Sequence, residues 1–188
     1  MRIFIAIELP EDIKSKIFHA SETLRNKNFF RGKFVEKKDL HLTLKFLGEM
    51  SEEKVAEVKK KLKEIKFEKF FGEIKSAGVF PDEKKGNIKV VWVDLISDKL
   101  NEFQSKIAGK FLEISSDLRK FSPHITIVRV ESAINKRRMI EELEKIHFKN
   151  LKFEIKEFVL MKSEAMAVKT EGSKYKVIER YKLGKNIK

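Results

Sequence analysis

An α+β fold, duplicated within one chain, is what the sequence predicts, and three observations predict it. Apolar stretches of strand character alternate with stretches whose apolar residues recur every three or four positions. The tripeptide His-x-Thr occurs twice, at His41-Leu42-Thr43 and His124-Ile125-Thr126. The segments around the two copies keep the same offset of 83 residues that separates His41 from His124. Together these give a bilobed, pseudo-twofold arrangement of two mostly antiparallel sheets with two helices each. The two His-x-Thr strands face a central cleft.

The elements follow in order. Residues 2–9, rich in Ile and Phe, read as a buried strand. Pro10, Glu11 and Asp12 start a helix whose apolar positions Ile13, Ile17, Ala20 and Leu24 share a face. A basic loop over Asn26–Lys38 leads to a strand at 40–47. Ser51 caps a second helix with Val55, Val58, Leu62 and Ile65 on one side. Residues 67–80 read as one long or two short strands, ending at Phe80-Pro81. An exposed turn is expected at Asp82–Asn87.

The second half repeats this order. A strand at 88–96 is followed by a helix at 98–114, a strand at 122–130, a helix at 135–147 and a strand at 153–163. A turn at Glu171-Gly172-Ser173 then introduces a last strand at 174–183. Each unit reads strand, helix, His-x-Thr strand, helix, strand, which points to internal duplication. The repeat units run approximately over 1–86 and 87–188 within one compact domain of 188 residues. Exchange of terminal strands between the lobes is left open.

Composition narrows the function classes. The formal charge of +13, from 42 Lys and Arg against 29 Asp and Glu, favours a polyanionic partner. A solvated Lys/Glu-rich surface of the heat-adapted kind is the alternative. With no cysteine, disulfides, thiolate catalysis and Cys-based metal sites are excluded. The opening apolar run is interrupted by Glu8 and is too short for a membrane span or signal peptide. A soluble, cytoplasmic, monomeric protein with no membrane association is the expectation.

A strand alternates its faces, so His41 projects with Thr43 and His124 with Thr126, above apolar Leu42, Leu44, Ile125 and Ile127. One histidine heading an apolar strand is ordinarily a satisfied structural residue. Two copies at equivalent positions of a duplicated chain favour function, because unpartnered polar groups on such strands cost burial energy. A zinc site needs a further protein ligand, and neither tripeptide brings an acid. Two imidazoles can act as general base and general acid near neutral pH. Two threonine hydroxyls can hold the non-bridging oxygens of a phosphodiester. Metal-free phosphoester chemistry on RNA fits these groups and the charge.

The stretches HLTLKFLGE and FSPHITIVRV, with the opening MRIFIAIELPEDIK, resemble the two-histidine phosphoesterase superfamily. The resemblance is to its LigT-like branch of 2′-5′ RNA ligases and RNA 2′,3′-cyclic phosphodiesterases, and it spans essentially the whole chain. It implies opening of an RNA 2′,3′-cyclic phosphate by water to a 2′-phosphate, with no metal or nucleotide cofactor. It also implies 2′-5′ joining of tRNA halves as a related activity. It makes His41 the proton donor, His124 the proton acceptor, and Thr43 and Thr126 the phosphate holders. The same pattern assigns Arg129 to phosphate and Phe46 to the base or ribose. Simple alternation disagrees, placing both on the face opposite the histidines unless a bulge or strand end redirects them. Lys45 shares the face of His41 by alternation and is a further substrate-binding candidate. Phe121 is expected at the cleft edge, with Pro123 fixing the entry to the second strand. His19 and His147 have no matching copy and read as surface residues. Two other classes fit the same groups: an RNA-end-binding module without turnover, and a cyclic phosphodiesterase of small nucleotides.

Overall fold

The computed structural model describes residues 1–81, 87–114, 120–164 and 174–184. Nine strands and four helices follow one another within them. The first half holds β1 (Arg2–Glu8), α1 (Glu11–Arg25), β2 (Phe30–Phe34), β3 (His41–Glu49), α2 (Glu52–Lys63) and β4 (Phe70–Pro81). The second holds β5 (Ile88–Asp94), α3 (Leu100–Lys110), β6 (His124–Ala133), α4 (Lys136–Leu143), β7 (His147–Ile155), β8 (Glu157–Glu164) and β9 (Lys174–Lys182). The turn expected at Glu171–Ser173 and most of that at Asp82–Asn87 lie outside the described residues.

All strand ladders are antiparallel and run in the order β7-β4-β5-β6-β3-β1-β8-β9, with β2 laid against β6. The seam between the two sheet halves is the single pair Leu42–Ile125, where β3 meets β6. Each half draws on both ends of the chain. β8 and β9 extend β1 and β3, while β4 and β7 extend β5 and β6. The α+β class and the antiparallel, bilobed plan are those the repeat predicts.

β1 carries Ile3, Phe4, Ile5, Ala6 and Ile7 without a polar residue because both its faces are covered, and all five are buried. Burying each large side chain contributes roughly 1.5–3 kcal/mol. The helices pack where their apolar stripes point: α3 against β3, α1 against β6, α4 against β4 and α2 against β9. Ser51 caps α2, its hydroxyl accepting the Lys54 N–H at 3.4 Å.

Three segments differ from the sequence expectation. The basic stretch expected as a loop contains β2, which pairs with β6 over Phe30–Phe34. Arg, Gly and Lys are weak strand formers, and only the open edge of β6 orders them. The fourth helix stops at Leu143 rather than 147, and β7 starts at His147, within the expected helix and ahead of the strand expected at 153–163, which is divided between β7 and β8. The apolar alternation of β7 changes phase at Asn150, whose φ of 54° breaks the period a reader would follow. The third helix is shorter at both ends than 98–114, covering Leu100–Lys110.

Candidate active site

The two tripeptides open β3 and β6, and the antiparallel contact of these strands brings His41 and His124 to one cleft of about 600 Å³. Thr43 and Thr126 line the same cleft. Beneath them Leu42, Leu44, Ile125 and Ile127 are buried in the core, as alternation requires.

Each imidazole is held in the same way. The Nδ1–H of His41 donates to the Asp39 carbonyl at 2.7 Å, and that of His124 to the Ser122 carbonyl at 2.7 Å. A carbonyl oxygen can only accept, so Nδ1 carries the proton in both rings and Nε2 is the atom left to exchange one. The turn Lys37–Asp39 supplies one carbonyl and the Phe121-Ser122-Pro123 entry the other. Phe121 and Ser122 also line the cleft.

The walls around the two rings differ. Phe4 lies 5.1 Å from His41 and Tyr175 meets it edge-on at 4.9 Å. Phe80 meets His124 edge-on at 4.7 Å and leans on Trp92 at 5.2 Å. Gly78 makes room for that Trp92 ring, since a Cβ there would sit 2.5 Å from it. Burial drives the His41 pKa down to about 4, and the positive charges of Arg129 and Lys14 act the same way. The Asp39 carbonyl bond and Glu8 oppose the shift without cancelling it.

β-Bulges settle where Phe46 and Arg129 lie. Ala6 faces Thr43 but Ile5 faces Lys45, so Leu44 is an extra residue in β3. Trp92 faces Thr126 but Val91 faces Val128, so Ile127 is an extra residue in β6. One extra residue reverses the alternation beyond it. Phe46 therefore shares the register of Phe4, with ring centroids 5.9 Å apart, and lines the cleft. Arg129 lines it too, with Nη2 3.5 Å from the Tyr175 hydroxyl. Alternation alone had put both on the wrong face. The same bulge moves Lys45 out of line with Thr43, pairing it with Ile5, although it still lines the cleft. His19 lies on α1 and His147 at the start of β7, both exposed. Among the described residues no group of three or more His, Asp or Glu is placed to hold a metal ion.

Asp39, Gln104 and Tyr175 are among the cleft residues that went unnoticed in the sequence. Asp39 is 6% exposed, its carboxyl accepts the Tyr175 backbone N–H, and burial pushes its pKa up. Gln104, the chain's one glutamine, donates to the bulged Leu44 carbonyl at 3.1 Å and pins that bulge. Tyr175 comes from β9, far along the chain. Only the acid two residues before His41 left a trace, and nothing periodic marks the other two.

A match to the LigT-like phosphoesterase family covers residues 7–92 and again 90–168, one copy for each half of the sequence. The chain belongs to the LigT-like phosphoesterase family, within the two-histidine phosphoesterases. An RNA 2′,3′-cyclic phosphodiesterase of Methanocaldococcus jannaschii is 33% identical over 96% of this chain and 100% of its own length. One from Aquifex aeolicus is 32% identical over 81% of this chain and 82% of its own. The crystal structure of Escherichia coli LigT with 3′-AMP superposes with a TM-score of 0.72 at 26% identity, covering 97% of this chain and 96% of that one. A Thermus thermophilus crystal structure shares the fold at a TM-score of 0.82 and 24% identity, over 97% and 98% of the two chains.

Proposed function

We propose that this chain is a metal-independent RNA 2′,3′-cyclic phosphodiesterase working by two-histidine acid–base catalysis. The observation that carries the reading is the matched pair of Nδ1–carbonyl bonds, which leaves two Nε2 atoms and two threonine hydroxyls for one cleft. The names of the relatives at about one-third identity support the substrate class.

In this mechanism neutral His124 takes a proton from water at Nε2 as the water oxygen bonds to phosphorus. The P–O3′ bond breaks, and His41 gives its Nε2 proton to the departing 3′-oxygen. The product keeps the phosphate on the 2′-oxygen. Thr43 and Thr126 donate to the non-bridging oxygens, and Arg129 offsets their charge. Phe46 walls the base or ribose, and Lys45 adds positive charge beside them. With a 5′-hydroxyl of a second RNA, such as a tRNA half, replacing water, the same two transfers form a 2′-5′ linkage.

The depressed His41 pKa fits this scheme through linkage. In the empty cleft the proton is disfavoured by burial and by Arg129. A bound phosphodiester anion offsets that charge and draws the proton onto Nε2. The acid is loaded when substrate arrives.

The test is incubation with a defined RNA bearing a 2′,3′-cyclic phosphate, in EDTA, followed by mapping of the phosphate. The expected product is the 2′-phosphate at undiminished rate. Binding without ring opening would leave an RNA-end-binding module.

A further inference from the structure

We infer that Tyr175 is a positioning residue of this active site: its hydroxyl holds the Arg129 guanidinium toward the substrate phosphate, and its ring fixes the imidazole of His41. This rests on the phosphodiesterase reading above. The register of β9 carries it.

The chain's two tyrosines both lie on β9, an even number of residues apart, so plain alternation would put Tyr175 and Tyr181 on one face. They go to opposite faces. Val177 faces Met161 but Glu179 faces Leu160, so Ile178 is an extra residue in β9 and reverses the alternation beyond it. Tyr181 stacks on Phe158 in the main core, with ring centroids 5.1 Å apart. Tyr175, together with Val177, packs instead on a small apolar cluster of Phe4, Ala6, Val159 and Met161. Phe4 and Tyr175 both line the cleft.

From there Tyr175 reaches both halves of the site. Its ring meets Phe4 edge-on at 5.4 Å and His41 edge-on at 4.9 Å. Its hydroxyl lies 3.5 Å from Nη2 of Arg129, which stands on the other tripeptide strand, β6. Its backbone N–H donates to the Asp39 carboxyl, while the Asp39 carbonyl accepts the Nδ1–H of His41. One residue, Asp39, thus anchors both the imidazole and the tyrosine that packs on it.

The chemistry of a phenol suits this place. An arginine side chain has many rotamers, and holding it in place before substrate arrives lowers the cost of binding. A carboxylate would hold it more firmly but would offset the charge that the phosphate needs. A neutral hydroxyl accepts one of the five guanidinium N–H groups and leaves the charge and the other donors to the substrate. The ring beside His41 brings no charge either, and it covers that side of the imidazole.

The hydroxyl is tested by a double-mutant cycle on hydrolysis of the cyclic-phosphate RNA, using the wild type, Tyr175→Phe, Arg129→Met and the double variant. Tyr175→Phe should lower kcat/KM about fivefold in the wild type, the scale of one hydrogen bond, and by less than about 1.5-fold in the Arg129→Met background. An equal loss in both backgrounds, or none in either, would overturn the action through Arg129. The ring is tested on the substrate-free protein, by proton NMR titration of His41 in Tyr175→Phe and Tyr175→Leu. Arg129 on β6, Lys14 on α1 and Glu8 on β1 supply the charges acting on this imidazole, and both variants keep them. The titration should stay in place in Tyr175→Phe and move upward in Tyr175→Leu, where water reaches the ring. An unmoved titration in Tyr175→Leu would overturn the role of the ring. Tyr175→Phe keeps the packing on Phe4, so the cycle decides even if Tyr175→Leu does not fold. Failure of the wild type to open the cyclic phosphate would instead overturn the phosphodiesterase reading, and the His41 titration would still decide on Tyr175.

Discussion

The half of the cleft built on β3 and the half built on β6 start from the same tripeptide and end differently. Both strands open on His-x-Thr, both rings bond a carbonyl two residues upstream at 2.7 Å, and both strands bulge one residue after the threonine. The bulge then presents Phe46 on one side and Arg129 on the other, at equivalent positions of the repeat. Duplication supplies two chemically equal imidazoles, and these two positions make them unequal. Phe46 packs on Phe4, which packs on His41, while the Arg129 guanidinium reaches the Tyr175 hydroxyl and its charge also acts on His41. The walls differ as well, since Phe4 and Tyr175 pack on His41 while Phe80 meets His124 edge-on.

The symmetric part of the comparison breaks most severely with either imidazole. His41→Ala and His124→Ala should each lower single-turnover hydrolysis by roughly 10³-fold, the scale of one proton-transfer partner. Retention of the far-ultraviolet circular dichroism of the parent checks that the fold survives. A loss in only one of the two would end the equivalence.

Next in size is a difference in pH dependence. His41 is held neutral by the fold, with its pKa at about 4. The unfolded chain takes a proton on this ring from about pH 6.5 downward, while the folded chain does not until about pH 4. Stability is therefore complete above pH 6.5 and falls as pH drops toward 4, by at most about 3 kcal/mol. Urea titrations across that window should show the loss in the wild type and in His124→Gln, and not in His41→Gln.

Arg129→Met should reduce kcat/KM by roughly 30-fold, matching about 2 kcal/mol for a hydrogen bond to charged phosphate. It should also raise the His41 pKa, read by proton NMR of the imidazole, because one of the charges holding it down is gone. The smallest effect belongs to the aromatic side. Phe46→Ala should raise KM about tenfold, near 1.4 kcal/mol for one lost stacking contact, with kcat nearly unchanged.

Much of the frame was legible because it is local. β1, β3, β5, β6 and the first three helices show their periods, and the His-x-Thr offset reveals the repeat. Non-local pairing was not legible. Nothing in 157–164 says that it joins β1, and Phe30–Phe34 becomes a strand only against β6. The histidines and threonines could be placed by alternation, because they precede the bulges. Phe46 and Arg129 could not, because Leu44-Lys45 and Ile127-Val128 look like ordinary strand residues and no glycine marks the change of phase. The resemblance named both residues, and the bulges give the physical reason they reach the cleft. Tyr175 and Gln104 arrive from distant elements and could be found only in three dimensions.

The proposed assignment of acid to His41 and base to His124 would give the two halves different chemistry, and one measurement tests it directly. A cyclic substrate with sulfur in place of the bridging 3′-oxygen has a leaving group that departs without protonation. His41→Ala should recover most of its lost rate on this substrate, while His124→Ala should stay at its low rate, because water still needs a base. Rescue of His124→Ala in place of His41→Ala would reverse the assignment, and rescue of neither would contradict general acid catalysis by this pair.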